Sequence, residues 1–300
     1  MNLNHTLACL LLVGGTFISS CSTNPYAATN RLYKKQVKAY AHSLTETPVT
    51  APGSEALPQG DYWVGTTNFN LRKPNYVIIH HTEQDSTAQT LKTFTQPQTQ
   101  VSAHYVIGRD GKVYHMLNDY LRAWHGGIGK WGSNSDLNSS SIGIELDNNG
   151  QDPFPEAQIN SLLQVLAMLK KNYNIPDANF IGHADIAPVR KVDPSIHFPW
   201  KRLAENGFGL WYDEDTLLPT IVLESVVTSD STFALVQKQV YDSIPETFNP
   251  QEALRIIGYD THDLPAAIRA FKLHFIQRDI NSPLTEEDKR VLYILYKKYL

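Results

Sequence analysis

The chain has 300 residues, more than the roughly 100–150 typical of one domain, so two domains are favoured. Its 26 lysines and arginines against 30 aspartates and glutamates give a formal net charge of -4, which disfavours nucleic acid as the main partner. Apolar residues make up 42% and charged residues 19% of the chain, a balance that argues against a disordered protein and indicates a globular one.

The N-terminus has the pattern of an export signal. The apolar run 7–18 is too short to span a bilayer as a helix but suits the core of a signal peptide. The run ends in Ile18-Ser19-Ser20-Cys21, which resembles the lipobox of bacterial lipoproteins, so we expect removal of residues 1–20 and lipidation of Cys21. The alternative is an ordinary secretory signal, since no Lys or Arg precedes the run.

Residues 21–60 are predicted to form a tether without regular structure. They are rich in Ser, Thr, Ala and Pro and show no sustained period of 2 or 3.6. Such a segment would distance the rest of the protein from a membrane surface.

Strands and helices alternate over residues 61–215, which predicts an α/β domain with a mixed central sheet flanked by helices. Ser86 is expected to cap a short helix to Phe94. Apolar residues spaced by three and four predict a helix from Pro155 to about Tyr173, and residues 183–199 are expected to form an irregular loop. The predicted strands are 76–82, two strands of a hairpin around Asp110-Gly111, 141–146 and 179–182.

The C-terminal residues 220–300 are predicted to form a small all-helical module. The predicted helices are 233–241, 250–257, 264–275 and 286–299. About 80 residues suffice for three or four helices.

Two segments, 78–82 and 182–197, concentrate side chains able to bind a cation. A catalytic zinc ion needs three protein ligands, and His80, His183 and Asp193 would supply imidazole and carboxylate. Zinc acidifies a bound water and polarises an amide carbonyl, so hydrolysis is the expected reaction. The residues alone leave the choice between His80 and His81 open. Only one of the two should face the site, since neighbours on a strand face opposite ways. They also do not exclude further candidates, namely His104, His115, His125 and His197.

A general base and an oxyanion stabiliser are also expected. Glu145 lies among apolar neighbours in its strand, and burial raises the proton affinity of a carboxylate toward the range that acid and base catalysis requires. Lys191, two residues before Asp193, is expected to point into the same cleft and stabilise a developing oxyanion.

Five motifs within residues 70–200 occur in the order of a known family. They resemble the zinc-dependent N-acetylmuramoyl-L-alanine amidases of the type 2 amidase and peptidoglycan-recognition-protein superfamily. The resemblance implies one zinc ion held by His80, His183 and Asp193, with Glu145 and Lys191 assisting. It also implies cleavage of the amide between N-acetylmuramic acid, or its anhydro form, and L-alanine in peptidoglycan or muropeptides. The motifs are IIHHT, SAHYVIGRDGKVYHM, AWHGG, SIGIELDNNG and GHADIAPVRKVDP.

Signal, amidase motifs and C-terminal helices together resemble the AmiD-like outer-membrane lipoprotein amidases, whose C-terminal modules resemble peptidoglycan-binding domains. Ser22, after the lipidated cysteine, is not the Asp associated with inner-membrane retention, so anchoring in the outer membrane, facing the periplasm, is implied. Trp124 and His125 are expected to bind substrate, although a core role for Trp124 is equally open. His104 is expected to be structural. Trp131 lacks the adjacent Arg that relatives often carry, so peptide preference does not carry over.

Two other functions compete with hydrolysis. The first is a catalytically inactive peptidoglycan-binding lipoprotein, which the presence of all three ligands and Glu145 disfavours. The second is a structural link between membrane and wall through the C-terminal module. Under the hydrolase hypothesis, deleting residues 220–300 should spare activity on small fragments and weaken retention by the wall.

Overall fold

A computed structural model describes residues 24–45, 66–68, 70–227, 233–241 and 243–300. The predicted signal sequence and the lipidation site Cys21 lie outside these residues. The chain divides into two compact units, Met1–Asn68 and Phe69–Leu300. Within the residues described, no helix combines the length and the apolar character needed to cross a membrane.

The first unit contains one described helix, α1 (Ala27–Ser43), where the sequence analysis predicted irregular structure. No residue of α1 is buried. The segment is rich in Ala and Lys, which favour helix through intrinsic propensity even without an apolar stripe. The prediction of a tether without regular structure is therefore wrong for this part, because it relied on hydrophobic periodicity alone.

The second unit is built on a five-stranded mixed sheet, as predicted. The strands are β1 (Tyr76–His81), β2 (Tyr105–Ile107), β3 (Val113–His115), β4 (Ser141–Leu146) and β5 (Phe180–Gly182). Their order in the sheet is β3-β2-β4-β1-β5, with β2 antiparallel to β3 and parallel to β4, and with β1 parallel to both β4 and β5. Gly111 adopts a φ of 80° at the turn between β2 and β3, a conformation that glycine allows without strain.

One face of the sheet is covered by a long amphipathic helix, α4 (Glu156–Tyr173), which begins one residue later than predicted. Its apolar stripe, which includes Leu162 and Leu166, packs in one buried cluster with Val77, Ile79 and Ile144 of the sheet. Four shorter helices lie in the connections, and α5 occupies part of the loop predicted to be irregular. These helices are α2 (Thr87–Phe94), α3 (Leu137–Ser140), α4 (Glu156–Tyr173), α5 (His183–Ile186) and α6 (Trp200–Glu205).

The opposite face of the sheet packs against the C-terminal helices α7 (Pro250–Ile257), α8 (Leu264–Phe271) and α9 (Glu286–Tyr299). The predicted positions of these helices are confirmed, and α8 continues as a π-helical turn to Ile276. Ile78 and Ile181 of the sheet share one buried cluster with Leu254, Phe271 and Leu292 of the helices. The C-terminal helices therefore complete the hydrophobic core on this face of the sheet.

In chain order, an antiparallel hairpin of β6 (Thr220–Val227) and β7 (Phe233–Val240) lies between α6 and α7. The predicted helix at 233–241 is wrong, and residues 220–300 are not all helical. The segment 220–227 is rich in β-branched residues and supplies a partner strand. Cross-strand pairing with that partner outweighs the local pattern on which the prediction relied.

The shared core predicts that the sheet and the C-terminal helices unfold together. Leu292 is fully buried and Leu218 is 67% exposed. We expect Leu292→Ala to cost about 2–5 kcal/mol of unfolding free energy and Leu218→Ala to cost under about 0.5 kcal/mol. Urea unfolding followed by tryptophan fluorescence and by circular dichroism measures both. Two separate transitions in the Leu292→Ala variant would contradict a single core.

Candidate metal centre and active site

The parallel pairing of β1 with β5 brings two histidines together. His80 lies near the end of β1, and His183 begins α5 immediately after β5. Successive side chains on a strand face opposite ways. Accordingly His81 points elsewhere, and its Nδ1 accepts a hydrogen bond from the backbone N–H of Ser195 at 3.1 Å. The choice between His80 and His81, which the sequence left open, therefore falls on His80.

The third member of the group, Asp193, comes from the loop after α5. The backbone carbonyl of Asp193 accepts a hydrogen bond from the N–H of Ala184 at 2.7 Å, which ties the loop to α5. The Nδ1 atoms of His80 and His183 lie 2.8 Å apart, and Oδ2 of Asp193 lies 3.1 Å from the first and 3.0 Å from the second. All three side chains are buried. His197 is exposed and lies outside this group.

The chemistry of these three atoms fits a divalent cation. Two imidazole nitrogens and a carboxylate oxygen that face one another in a buried space repel through their lone pairs, and a cation satisfies all three at once. Two imidazoles and one carboxylate form a donor set that zinc takes in catalytic sites, with one position left for water or substrate.

The electrostatics of the group favour the ligand forms of its side chains. Burial, helped by the neighbouring His183, lowers the pKa of His80 to about 4, so this imidazole is neutral at physiological pH. Burial alone would raise the pKa of Asp193, but the ring nitrogens of His183 and His80, at 3.0 and 3.1 Å from its Oδ2, outweigh burial and hold that pKa well below its usual range. Neutral imidazole and ionised carboxylate are the states that bind metals.

Glu145 lies beside the group on strand β4. It pairs in register with His80, so both side chains project from the same face of the sheet. Its Oε2 atom is buried and has no hydrogen-bond partner within the part of the chain that the structure describes. Burial raises the pKa of Glu145 to about 8, the negative charge of Asp193 adds to this, and Lys191 opposes it. A carboxyl with this pKa can both accept and donate a proton near neutral pH.

Glu145 also makes the stability of the metal-free protein depend on pH. Its pKa is about 8 in the folded chain against an ordinary 4.5, so between these values the folded state keeps a proton that the unfolded state has lost. Stability therefore falls as pH rises through this window, by up to about 1.4 kcal/mol per pH unit from this group. Glu145→Gln should gain stability relative to the wild type across the window in urea titrations with a chelator. Parallel pH profiles for the two proteins would contradict this.

His125 lies beside the metal group. It is 8% exposed, and its Nδ1 lies 3.1 Å from Nε2 of His80, on the side of that ring away from the metal group. Trp124, the preceding residue, is 52% exposed. The assignment of His125 to substrate binding stays a prediction; in the structure the ring of His125 contacts His80, a member of the metal group.

The surroundings of His183 include residues that the sequence analysis missed. Its Nε2 lies 3.2 Å from the carbonyl oxygen of Gly126. Arg190 donates to the same carbonyl and, from Nε at 2.8 Å, to that of Ile128. The side-chain oxygen of Asn138 accepts the backbone N–H of Gly126 at 2.8 Å. Arg190 stands directly before Lys191 in the sequence, but nothing in that pattern indicated a role in holding a distant loop.

The remaining candidates divide between the site and the core. Lys191 is partly buried, and its positive charge acts on both Glu145 and His80. His104 is buried and structural, as expected, since its Nδ1 accepts the N–H of Gly143 at 3.0 Å. His115 stacks on Tyr105 at a centroid distance of 4.4 Å and plays no part in the metal group. Trp131 is a buried core residue, packed edge-on against Tyr259.

Comparison with known proteins gives a consistent result. Residues 70–196 match the family model described as N-acetylmuramoyl-L-alanine amidase. The chain is 32% identical over 242 residues to the N-acetylmuramoyl-L-alanine amidase AmiD of Escherichia coli, which covers 74% of this chain and 82% of that protein. It is 39% identical over 106 residues to the 1,6-anhydro-N-acetylmuramyl-L-alanine amidase AmpD of Haemophilus influenzae, which covers 35% of this chain and 58% of that protein.

Solved structures show the same likeness over most of the chain. The structure of E. coli AmiD in complex with the substrate anhydro-N-acetylmuramic acid-L-Ala-D-gamma-Glu-L-Lys superimposes with a TM-score of 0.62 at 26% identity, covering 81% of this chain and 97% of that one. AmpDh3 of Pseudomonas aeruginosa, in complex with anhydromuramic pentapeptide, superimposes with a TM-score of 0.63 at 28% identity, covering 82% of this chain and 99% of that one.

Proposed function

This chain belongs to the N-acetylmuramoyl-L-alanine amidase family, and we propose that it is a zinc enzyme that hydrolyses the amide between N-acetylmuramic acid, or its anhydro form, and L-alanine. The observation that carries this proposal is the convergence of His80, His183 and Asp193 next to the buried carboxyl of Glu145. When bound, zinc supplies a Lewis acid that acidifies water and polarises a carbonyl.

Glu145 provides the proton transfers that amide hydrolysis needs. In its ionised form it accepts a proton from the water that attacks the amide carbon, and it then donates that proton to the nitrogen of the leaving L-alanine as the carbon–nitrogen bond breaks. The pKa of Glu145 is about 8 in the metal-free protein, and a cation bound nearby would lower it toward the range in which the side chain both accepts and donates a proton near neutral pH. The same residue thus acts first as base and then as acid.

Two further residues act on the substrate. Lys191 places a positive charge near Glu145, and we propose that it stabilises the oxyanion that develops on the amide oxygen. The half-exposed indole of Trp124 offers an apolar surface on which the muramic acid or the stem peptide packs. His125 lies behind His80 and is not part of this surface.

The substrate proposal includes soluble muropeptides, since the AmiD and AmpDh3 structures hold anhydromuramyl peptides, and we extend it to intact peptidoglycan, which contains the same amide bond. The test is to digest purified sacculi and isolated anhydromuropeptides and to analyse the products by mass spectrometry. We expect stem peptides with a free L-alanine N-terminus, no release with a chelator, and recovery with zinc. Activity that resists the chelator would reject the zinc mechanism. Binding to sacculi without any release would favour the inactive recognition protein.

We also propose that the protein is a lipoprotein of the outer membrane, anchored through Cys21 and facing the periplasm. The lipobox-like Ile18-Ser19-Ser20-Cys21 and the absence of Asp after Cys21 support this proposal. Cys21→Ala should move the protein from the membrane fraction to the soluble fraction and abolish labelling by a palmitate analogue. Unchanged labelling of the variant would reject Cys21 as the site.

A further inference from the structure

A chain of hydrogen-bonding side chains runs from the metal group into strand β4. His80 faces the metal group with Nδ1, and its other ring nitrogen, Nε2, lies 3.1 Å from Nδ1 of His125. Nε2 of His125 in turn lies 3.2 Å from Oγ of Ser141. All three side chains are buried, so water does not compete for these contacts. Each imidazole can donate or accept at either nitrogen, so its tautomer depends on its neighbours.

The contact of Ser141 with the backbone decides which atom donates in each of these hydrogen bonds. The hydroxyl of Ser141 donates to the backbone carbonyl of Leu137, which can only accept. The oxygen of Ser141 is then an acceptor toward His125, which must carry its proton on Nε2. A neutral His125 with that proton has its lone pair on Nδ1 and accepts from Nε2–H of His80. This leaves the lone pair of His80 on Nδ1, the atom that faces His183 and Asp193.

The ring of His125 has a fitted place in the structure. A Cβ atom at Gly143 would lie 2.4 Å from the ring of His125, so the imidazole packs directly on the glycine backbone of β4. The side-chain oxygen of Asn138 accepts the backbone N–H of His125 at 3.1 Å. Ser141, Gly143 and Glu145 alternate along one face of β4. Strand β4 therefore contacts the ring of His125 through Ser141, leaves space for this ring at Gly143 and also carries Glu145.

We propose that Ser141 and His125 are positioning residues that hold His80 in its Nε2–H tautomer and so present Nδ1 to the metal ion. Nε2 of His183 lies 3.2 Å from the carbonyl oxygen of Gly126, which can only accept, and 3.4 Å from Nη2 of Arg190, which can only donate. The shorter of these two contacts favours the same tautomer for His183. His80 obtains it through two side chains. This inference rests on the metal site of the proposed function and not on its substrate.

The test measures the tautomer and the metal affinity separately from activity. Long-range ¹H–¹⁵N spectra of the metal-free protein should show the proton of His125 on Nε2. Competition with a chelator should show zinc dissociation constants about 10–100-fold higher for Ser141→Ala than for the wild type, the range typical when a partner of a metal ligand is lost. Ser161→Ala is a matched control, because the hydroxyl of Ser161 also donates to a carbonyl, that of Gly111 at 2.7 Å, but contacts no imidazole among the residues that the structure describes. Its zinc affinity should stay within about twofold of the wild type.

Each contrary result has a distinct meaning. A proton on Nδ1 of His125 in the unsubstituted protein would overturn the proposal without any variant, so poor folding of Ser141→Ala cannot obscure the answer. Equal zinc affinity of Ser141→Ala and the wild type would overturn it as well. A wild type that binds no zinc would overturn the metal site and the positioning role together. Normal zinc binding without release of stem peptides would count against the proposed substrate alone.

Discussion

Replacing Glu145 by glutamine is expected to lower kcat on a muropeptide substrate by about 10²–10⁴-fold, the usual contribution of a general acid and base. Glutamine keeps the size and polarity of the side chain but cannot take up or release a proton. It does not remove a member of the metal group, so zinc content after gel filtration should equal that of the wild type. The loss should therefore appear in kcat and not in metal binding.

The comparison that makes this result specific uses a carboxylate of similar shape. Glu145→Asp keeps an ionisable group on a shorter side chain and should retain more activity than Glu145→Gln, with zinc binding intact. If Glu145→Gln retains more than about a tenth of the wild-type rate, Glu145 is not the base, since proton transfer contributes at least about 10²-fold in such sites.

Replacing Asp193 by alanine is expected to abolish both zinc binding and activity. The substitution removes the only carboxylate of the group and leaves two imidazoles, which are too few for a stable catalytic zinc site. Zinc content measured by mass spectrometry should fall to background, and added zinc should no longer raise the melting temperature as it does for a protein that binds it only when folded.

Asp85→Asn is the control for this experiment, because Asp85 is exposed and lies outside the metal group. It should bind zinc and cleave substrate like the wild type. If Asp193→Ala retains one zinc ion per chain at wild-type affinity, the assigned ligand set is wrong. Retention of activity without zinc would instead reject the metal mechanism.

Most of the sheet and the helices could be predicted from local pattern. The β-branched run at 76–81, the hairpin turn at Gly111 and the apolar stripe of 156–173 each carry a short-range signal, and the structure confirms all three. The hairpin at 220–240 and helix α1 could not be predicted in the same way. The first depends on pairing with a partner strand, and the second depends on helix propensity without burial.

The metal group could be predicted because a specific chemistry requires specific side chains, and the family resemblance supplied their positions. What surrounds the group depends on contacts between residues far apart in sequence. Hydrogen bonds that join separate segments link Ser141 through His125 to His80. Another joins the guanidinium of Arg190 to the carbonyl of Gly126. No spacing in the sequence encodes them, so the contact between His125 and His80 could not be predicted from the sequence.

The buried cluster that joins the sheet to the last three helices also revises the expectation for a deletion of residues 220–300. Without Phe271 and Leu292, the apolar side chains of Ile78 and Ile181 would be exposed to water on the face of the sheet that also carries His80 and Glu145. Proteolytic removal of the C-terminal helices is therefore expected to destabilise the sheet that carries the metal group rather than to release a smaller active enzyme.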